Sequence, residues 1–64
     1  MPHIHVQILA GATRAQKAQL VKEFTESLAR VMGKKPEYTN IIIEEIAKED
    51  WGYAGLLSDE PEKT

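Results

Sequence analysis

The 64-residue chain contains no cysteine, so no disulfide can staple it and no Cys-based metal site is available. Aromatic residues are scarce, with one Trp, two Tyr and one Phe. They do not alternate with basic residues as a base-stacking platform requires. Positive charge is also in short supply: eight Lys and Arg stand against ten Asp and Glu, for a formal net charge of −2. Lys34-Lys35 is the only basic doublet, and this balance argues against a nucleic-acid partner. No apolar run approaches the ~20 residues of a membrane span. The stretch Ile4 to Ala10 is short, alternates with polar residues and has no basic leader, unlike a secretory signal. These absences point to a cytoplasmic enzyme or binding subunit with no membrane or nucleic-acid partner.

What is present is one domain at most, with no room for a linker or an internal repeat. Apolar residues make up 42% of the chain. Below roughly 70–80 residues a lone core rarely supplies more than ~3–5 kcal/mol, so burial between subunits is expected to complete the fold. The expected state is an oligomer.

The most informative local feature is Met1-Pro2. A small second residue lets an aminopeptidase remove Met1 and leave proline as the N-terminus. Inside a chain, proline nitrogen is a tertiary amide without a proton. At the terminus it is a secondary amine that can take a proton and return it. Free α-amino groups titrate at about 7.7–8.0, and an apolar pocket or a nearby cation lowers that value. A base poised near working pH suits general acid–base catalysis. Many chains begin Met-Pro without any such role, so the rest of the sequence has to decide.

From Pro2 to Leu9 the chain alternates, with Ile4, Val6 and Ile8 on one side and His3, His5 and Gln7 on the other. That pattern predicts a half-buried strand. Thr13 and Gln16 form a capping-box pair after Ala10-Gly11-Ala12, and predict a helix from about Arg14 to Met32. Its apolar stripe is Leu20, Val21, Phe24, Leu28 and Val31. Gly33 stops it, and Lys34, Lys35 and Pro36 prevent its continuation. Thr39 to Ile46 reads as a second strand, apolar on both faces at Ile41-Ile42-Ile43 and so covered on both sides. Ala47 to Asp50 reads as loop, and Trp51 to Leu57 as a small hairpin or turn. A nineteen-residue crossover helix implies parallel pairing of the two strands. One helix covers one sheet face, which leaves the other for a partner.

Pro2 heading a strand, Leu9-Ala10-Gly11, Gln16-Lys17, Ile43-Glu44-Glu45 and Trp51-Gly52 together resemble the small 4-oxalocrotonate tautomerase family. The resemblance implies an α+β fold: a β-α-β unit with parallel strands and a C-terminal hairpin, assembled as a homo-hexamer of three dimers. Residues 2–57 would form the single tautomerase-like domain, and 58–64 a flexible acidic tail. It implies a cofactor-independent keto–enol tautomerase in which Pro2 moves a proton from the enol of a 2-hydroxydienoate or enolpyruvate-type acid to carbon. Trp51 would stand where the family has an aromatic wall, keeping water from the Pro2 nitrogen and favouring its neutral form.

Two positions depart from the family pattern. Ala12 stands where relatives acting on dicarboxylate dienols carry an arginine after the glycine, and Asn40 stands where they often carry a second. Arg14 lies two residues beyond Ala12, and its fork would suit a carboxylate. Asn40 can donate a hydrogen bond but cannot neutralise charge. The expected site is therefore Pro2 as catalytic residue, with Arg14, Asn40 and Trp51 binding a small carboxylate substrate that carries one carboxylate or varies among small enols.

Other readings stay open beside it. His3 and His5 share a strand face and offer an H-x-H pair, but a metal needs a third ligand, so a polar face at a subunit boundary is the expectation and no metal is assigned. Glu44-Glu45 would activate water in a hydratase or dehalogenase of unsaturated acids, with Pro2 protonated as an acid; strand-end glutamates are more often solvated. A third possibility is a non-catalytic oligomeric homologue that lost activity with its arginines.

Overall fold

The computed structural model describes residues 1–60. Strand β1 spans His3–Leu9, helix α1 Arg14–Met32, strand β2 Asn40–Ile46, and the short strands β3 and β4 span Gly52–Tyr53 and Leu56–Leu57. Single 3-10 turns occupy Pro36–Tyr38 and Lys48–Asp50, in stretches the sequence reads as turn and loop. The strands β1 and β2 pair in parallel, His3 opposite Asn40 through to Leu9 opposite Ile46, while β3 and β4 pair antiparallel. The α+β reading of a β-α-β unit followed by a hairpin is what the chain adopts.

The capping box is in place at the start of α1. Thr13 Oγ1 accepts the Gln16 N–H at 3.1 Å, and the Gln16 side chain accepts the Thr13 N–H at 2.9 Å. At the other end Gly33 takes the left-handed conformation (φ 67°), which lets its N–H reach the Ala29 carbonyl and the Lys34 N–H reach that of Leu28. The predicted bounds of this helix match the observed ones because both ends carry local chemical signals.

Which face α1 covers is fixed by Lys17, whose ammonium bonds the Glu45 carboxylate. Glu45 shares its face of β2 with Ile41 and Ile43 and stands opposite Ile8, on the half-buried side of β1 with Ile4 and Val6. Leu20, Phe24 and Leu28, all half-buried, follow Lys17 at helical spacing along the same face of α1. The predicted stripe is wider than the contact: Val21 is exposed and Val31 is 73% exposed, because a two-stranded sheet is too narrow to cover them. On the opposite sheet face His3, His5, Gln7, Leu9, Ile42 and Glu44 are all exposed, Ile42 by 49%.

Among the described residues none is buried. The radius of gyration is 15.4 Å, where a compact domain of this length has about 11 Å. The surface of 5196 Å² exceeds the roughly 4,100 Å² of a monomer of this size. The hairpin contributes to this extension, since its main neighbour beyond itself is the Lys48–Asp50 turn. Ser58 is tied back to it, with its N–H and hydroxyl both donating to the Trp51 carbonyl at 2.8 Å. The Glu60 carboxylate accepts the Leu57 N–H. The rest of the expected tail, residues 61–64, lies outside the described residues.

Candidate active site

Pro2 sits at the mouth of β1, and its carbonyl accepts the Asn40 N–H at 3.0 Å. The parallel register starting at His3 and Asn40 produces this pairing, so the fold itself places Asn40 beside the N-terminus. The Asn40 side-chain amide donates to the Met1 sulfur at 3.4 Å. Removal of Met1 would leave that amide as a free donor next to the new terminal amine.

An open cleft of about 460 Å³ surrounds this point, lined by Met1, Pro2, Gly33, Lys34, Lys35 and Tyr38. Ligand clefts commonly enclose about 300–1,000 Å³, so the space suits a small organic acid. The helix C-terminus comes to Pro2 because α1 runs back along β1: nineteen residues at 1.5 Å make roughly 28 Å, and seven strand residues make roughly 23 Å. Lys34 and Lys35 are thereby brought beside Pro2. Sequence reasoning reads them only as residues that follow a helix stop. The available signal was topological, since a helix returning from the end of β1 must finish near its beginning.

Arg14 and Trp51 lie at the other end. Arg14 opens α1 just past the end of β1, where it lines a separate cleft of about 470 Å³ with Lys17, Ala18 and Val21. Trp51 follows β2, beyond Ile46, between the Lys48–Asp50 turn and β3. Within one protomer, therefore, Pro2 and Asn40 come together, while Arg14 and Trp51 are separated from them by the length of the strands.

The two glutamates are both engaged. Glu44 accepts from Gln7 at 3.1 Å and pairs with His5 at 2.9 Å, on the open sheet face. The hydrogen bonds from Gln7 and then His5 hold its carboxyl below the ordinary glutamate range. Glu45 is bonded by Lys17 and accepts the Gly11 N–H at 3.1 Å. Those two donors, Lys17 first, likewise lower its pKa. A carboxylate stabilised in this way is a weak base toward water. Glu45 instead anchors the loop between β1 and α1.

The fold agrees with the comparisons. The family model described as "Tautomerase enzyme" matches residues 2–60. The 2-hydroxymuconate tautomerase of Bacillus subtilis (strain 168) is 38% identical over 60 residues, covering 92% of this chain and 97% of its own. The crystal structure of a 4-oxalocrotonate tautomerase homologue superimposes with a TM-score of 0.90 at 28% identity, covering 98% of this chain and all of that one. A heterohexameric 4-oxalocrotonate tautomerase from Chloroflexus aurantiacus gives a TM-score of 0.86, covering 94% of this chain and 97% of that chain. At 23% identity this last likeness shows the fold alone. The chain belongs to the tautomerase family. It is an isomerase, an enzyme that moves a proton within its substrate.

Proposed function

We propose that the chain is a cofactor-independent keto–enol tautomerase of small 2-hydroxydienoate or enolpyruvate-type acids, with Pro2 as general acid and base once Met1 is removed. The observation that carries this reading is the position of Pro2. It heads β1, is pinned through its carbonyl to Asn40, and opens into a cleft that Lys34 and Lys35 also line. The neutral amine takes the enol proton and returns it to carbon, leaving the conjugated ketone. Asn40, released from the Met1 sulfur, donates to the substrate carbonyl or carboxylate.

The site is completed by assembly. Arg14 and Trp51 cannot join Pro2 within their own protomer, so a neighbouring copy supplies them: Trp51 as the wall that excludes water, Arg14 as a second anion contact. The exposed sheet face, with Ile42 at its centre, is the surface a partner protomer covers. A homo-hexamer built as a trimer of dimers meets both needs.

Intact-mass measurement followed by an ultraviolet assay on a panel of enols tests this reading. In a folded, assembled Pro2→Ala protein kcat/KM is expected to fall by about 10²–10⁴-fold. Wild-type rates in that variant, or full activity with Met1 still attached, would refute it. The substrate class is tested in the same assay, where monocarboxylic enols such as phenylenolpyruvate are expected to rival 2-hydroxymuconate. A tenfold preference for the dicarboxylate would overturn that part.

A further inference from the structure

Neither departure from the family pattern leaves a cation beside Pro2 within the protomer, since Ala12 and Asn40 are neutral and Arg14 is remote. The cleft is nevertheless cationic. Lys34 and Lys35 both line it, together with Pro2 and Tyr38. Among the described residues the ion pairs are His5–Glu44 and Lys17–Glu45, so neither cleft lysine is neutralised by a carboxylate.

Lysines near a helix C-terminus have an ordinary role in offsetting the helix dipole. Here that role is already filled by backbone. The Gly33 and Lys34 N–H groups satisfy the Ala29 and Leu28 carbonyls, so the ammonium groups are not needed to cap them. The backbone beyond is held as well. The Lys35 carbonyl accepts the Tyr38 N–H at 3.0 Å and the Thr39 hydroxyl at 3.0 Å, and Pro36 restricts the turn between. Two cations with no carboxylate partner among the described residues are thus carried on a fixed segment, at the rim of the space that the candidate base opens into. Tyr38, 56% exposed, adds an aromatic wall to the same cleft.

We propose that Lys34 and Lys35 are the carboxylate anchor of this site, so that the enzyme holds the carboxylate of a small enol acid with residues from its own helix terminus rather than with an arginine after Gly11. The proposal rests on the Pro2-centred reading of the cleft and deepens it by naming the group that determines substrate class. The cationic locus that Lys34 and Lys35 form on this wall takes one carboxylate beside the reacting enol. The lysines bind and orient the acid, while the proton transfer stays with Pro2.

The test is steady-state kinetics on phenylenolpyruvate with the Lys34→Gln/Lys35→Gln double variant, which keeps part of each side-chain stem. The Lys34→Arg/Lys35→Arg variant serves as the charge-conserving form, and Lys22→Ala as a control outside the cleft. Charged hydrogen bonds of this kind correspond to about tenfold or more in affinity, so KM is expected to rise at least tenfold in the Gln variant with kcat little changed. The Arg variant should recover most of that loss, and added salt should raise the wild-type KM but not that of the Gln variant. A folded Gln variant of unchanged assembly whose KM stays within twofold of wild type overturns the proposal. Pro2→Ala in the same assay separates the two claims. Loss of turnover there with unchanged KM in the lysine variant sinks the anchor alone, whereas full turnover in Pro2→Ala sinks the reading beneath it.

Discussion

At the scale of single residues, the strand register brings Pro2 and Asn40 together at the N-terminus. These two proposed site residues stand out in the sequence because each carries a chemical signal of its own: an amine that exists only after processing, and a polar residue opening a strand where the resemblance leads one to expect an arginine. Lys34 and Lys35, the proposed anchor, do not stand out. Local spacing shows them as the end of a helix, and only the return of α1 along β1 puts them at the cleft. Asn40→Ala keeps the backbone bond to Pro2 and removes only the side-chain donor. Losing one such hydrogen bond is expected to reduce kcat/KM by up to about tenfold without lowering the melting temperature. Glu45 gives a pH prediction. Its folded-state pKa is depressed by Lys17 and Gly11, so its contribution to stability is present above the unfolded-state value and is lost as pH falls through the lower folded one. Glu45→Gln should therefore be less stable than wild type at neutral pH, with the difference starting to shrink as pH falls below roughly 4.3 and vanishing only below the lower folded-state value, as followed by chemical denaturation across pH.

At the scale of elements, α1 was readable to its ends because Thr13, Gln16 and Gly33 act within a turn of their own positions. Thr13→Ala removes the cap that accepts the Gln16 N–H and should destabilise the protein by about 1 kcal/mol. The hairpin was placed in outline but its turn was not. Ala54 and Gly55 both take positive φ, 53° and 80°, and nothing in the alanine side chain favours that conformation. A two-residue turn with both φ positive prefers Asn-Gly. Ala54→Asn is therefore expected to raise stability by roughly 0.5–1 kcal/mol, seen as a higher melting temperature at fixed protein concentration. The width of the helix stripe was overstated by the sequence, since periodicity counts Val21 and Val31 as core without knowing that the sheet beneath has only two strands.

At the scale of the whole molecule, two independent observations of the protomer support the proposed assembly. None of its described residues is buried, and its four expected site residues divide between opposite ends of one β-α-β unit. Shortness and a modest apolar content made the first legible from sequence. The second required the topology. Folding and assembly should therefore be coupled, with a melting temperature that rises with protein concentration. Ile42→Lys, on the open sheet face, should dissociate the assembly and abolish activity together, as read by analytical ultracentrifugation and the enol assay on one sample. Full activity in a dissociated Ile42→Lys protein would show that one protomer suffices.

The most direct measurement is a nitrogen-15 NMR titration of the Pro2 nitrogen in the assembled enzyme, set beside the pH profile of kcat/KM. The cleft and its lysines should hold that amine below the usual range of about 7.7–8.0, with its midpoint coinciding with the acid limb of the rate profile. A Pro2 nitrogen still in peptide linkage to Met1, or a midpoint unrelated to the rate, would contradict proton transfer by Pro2.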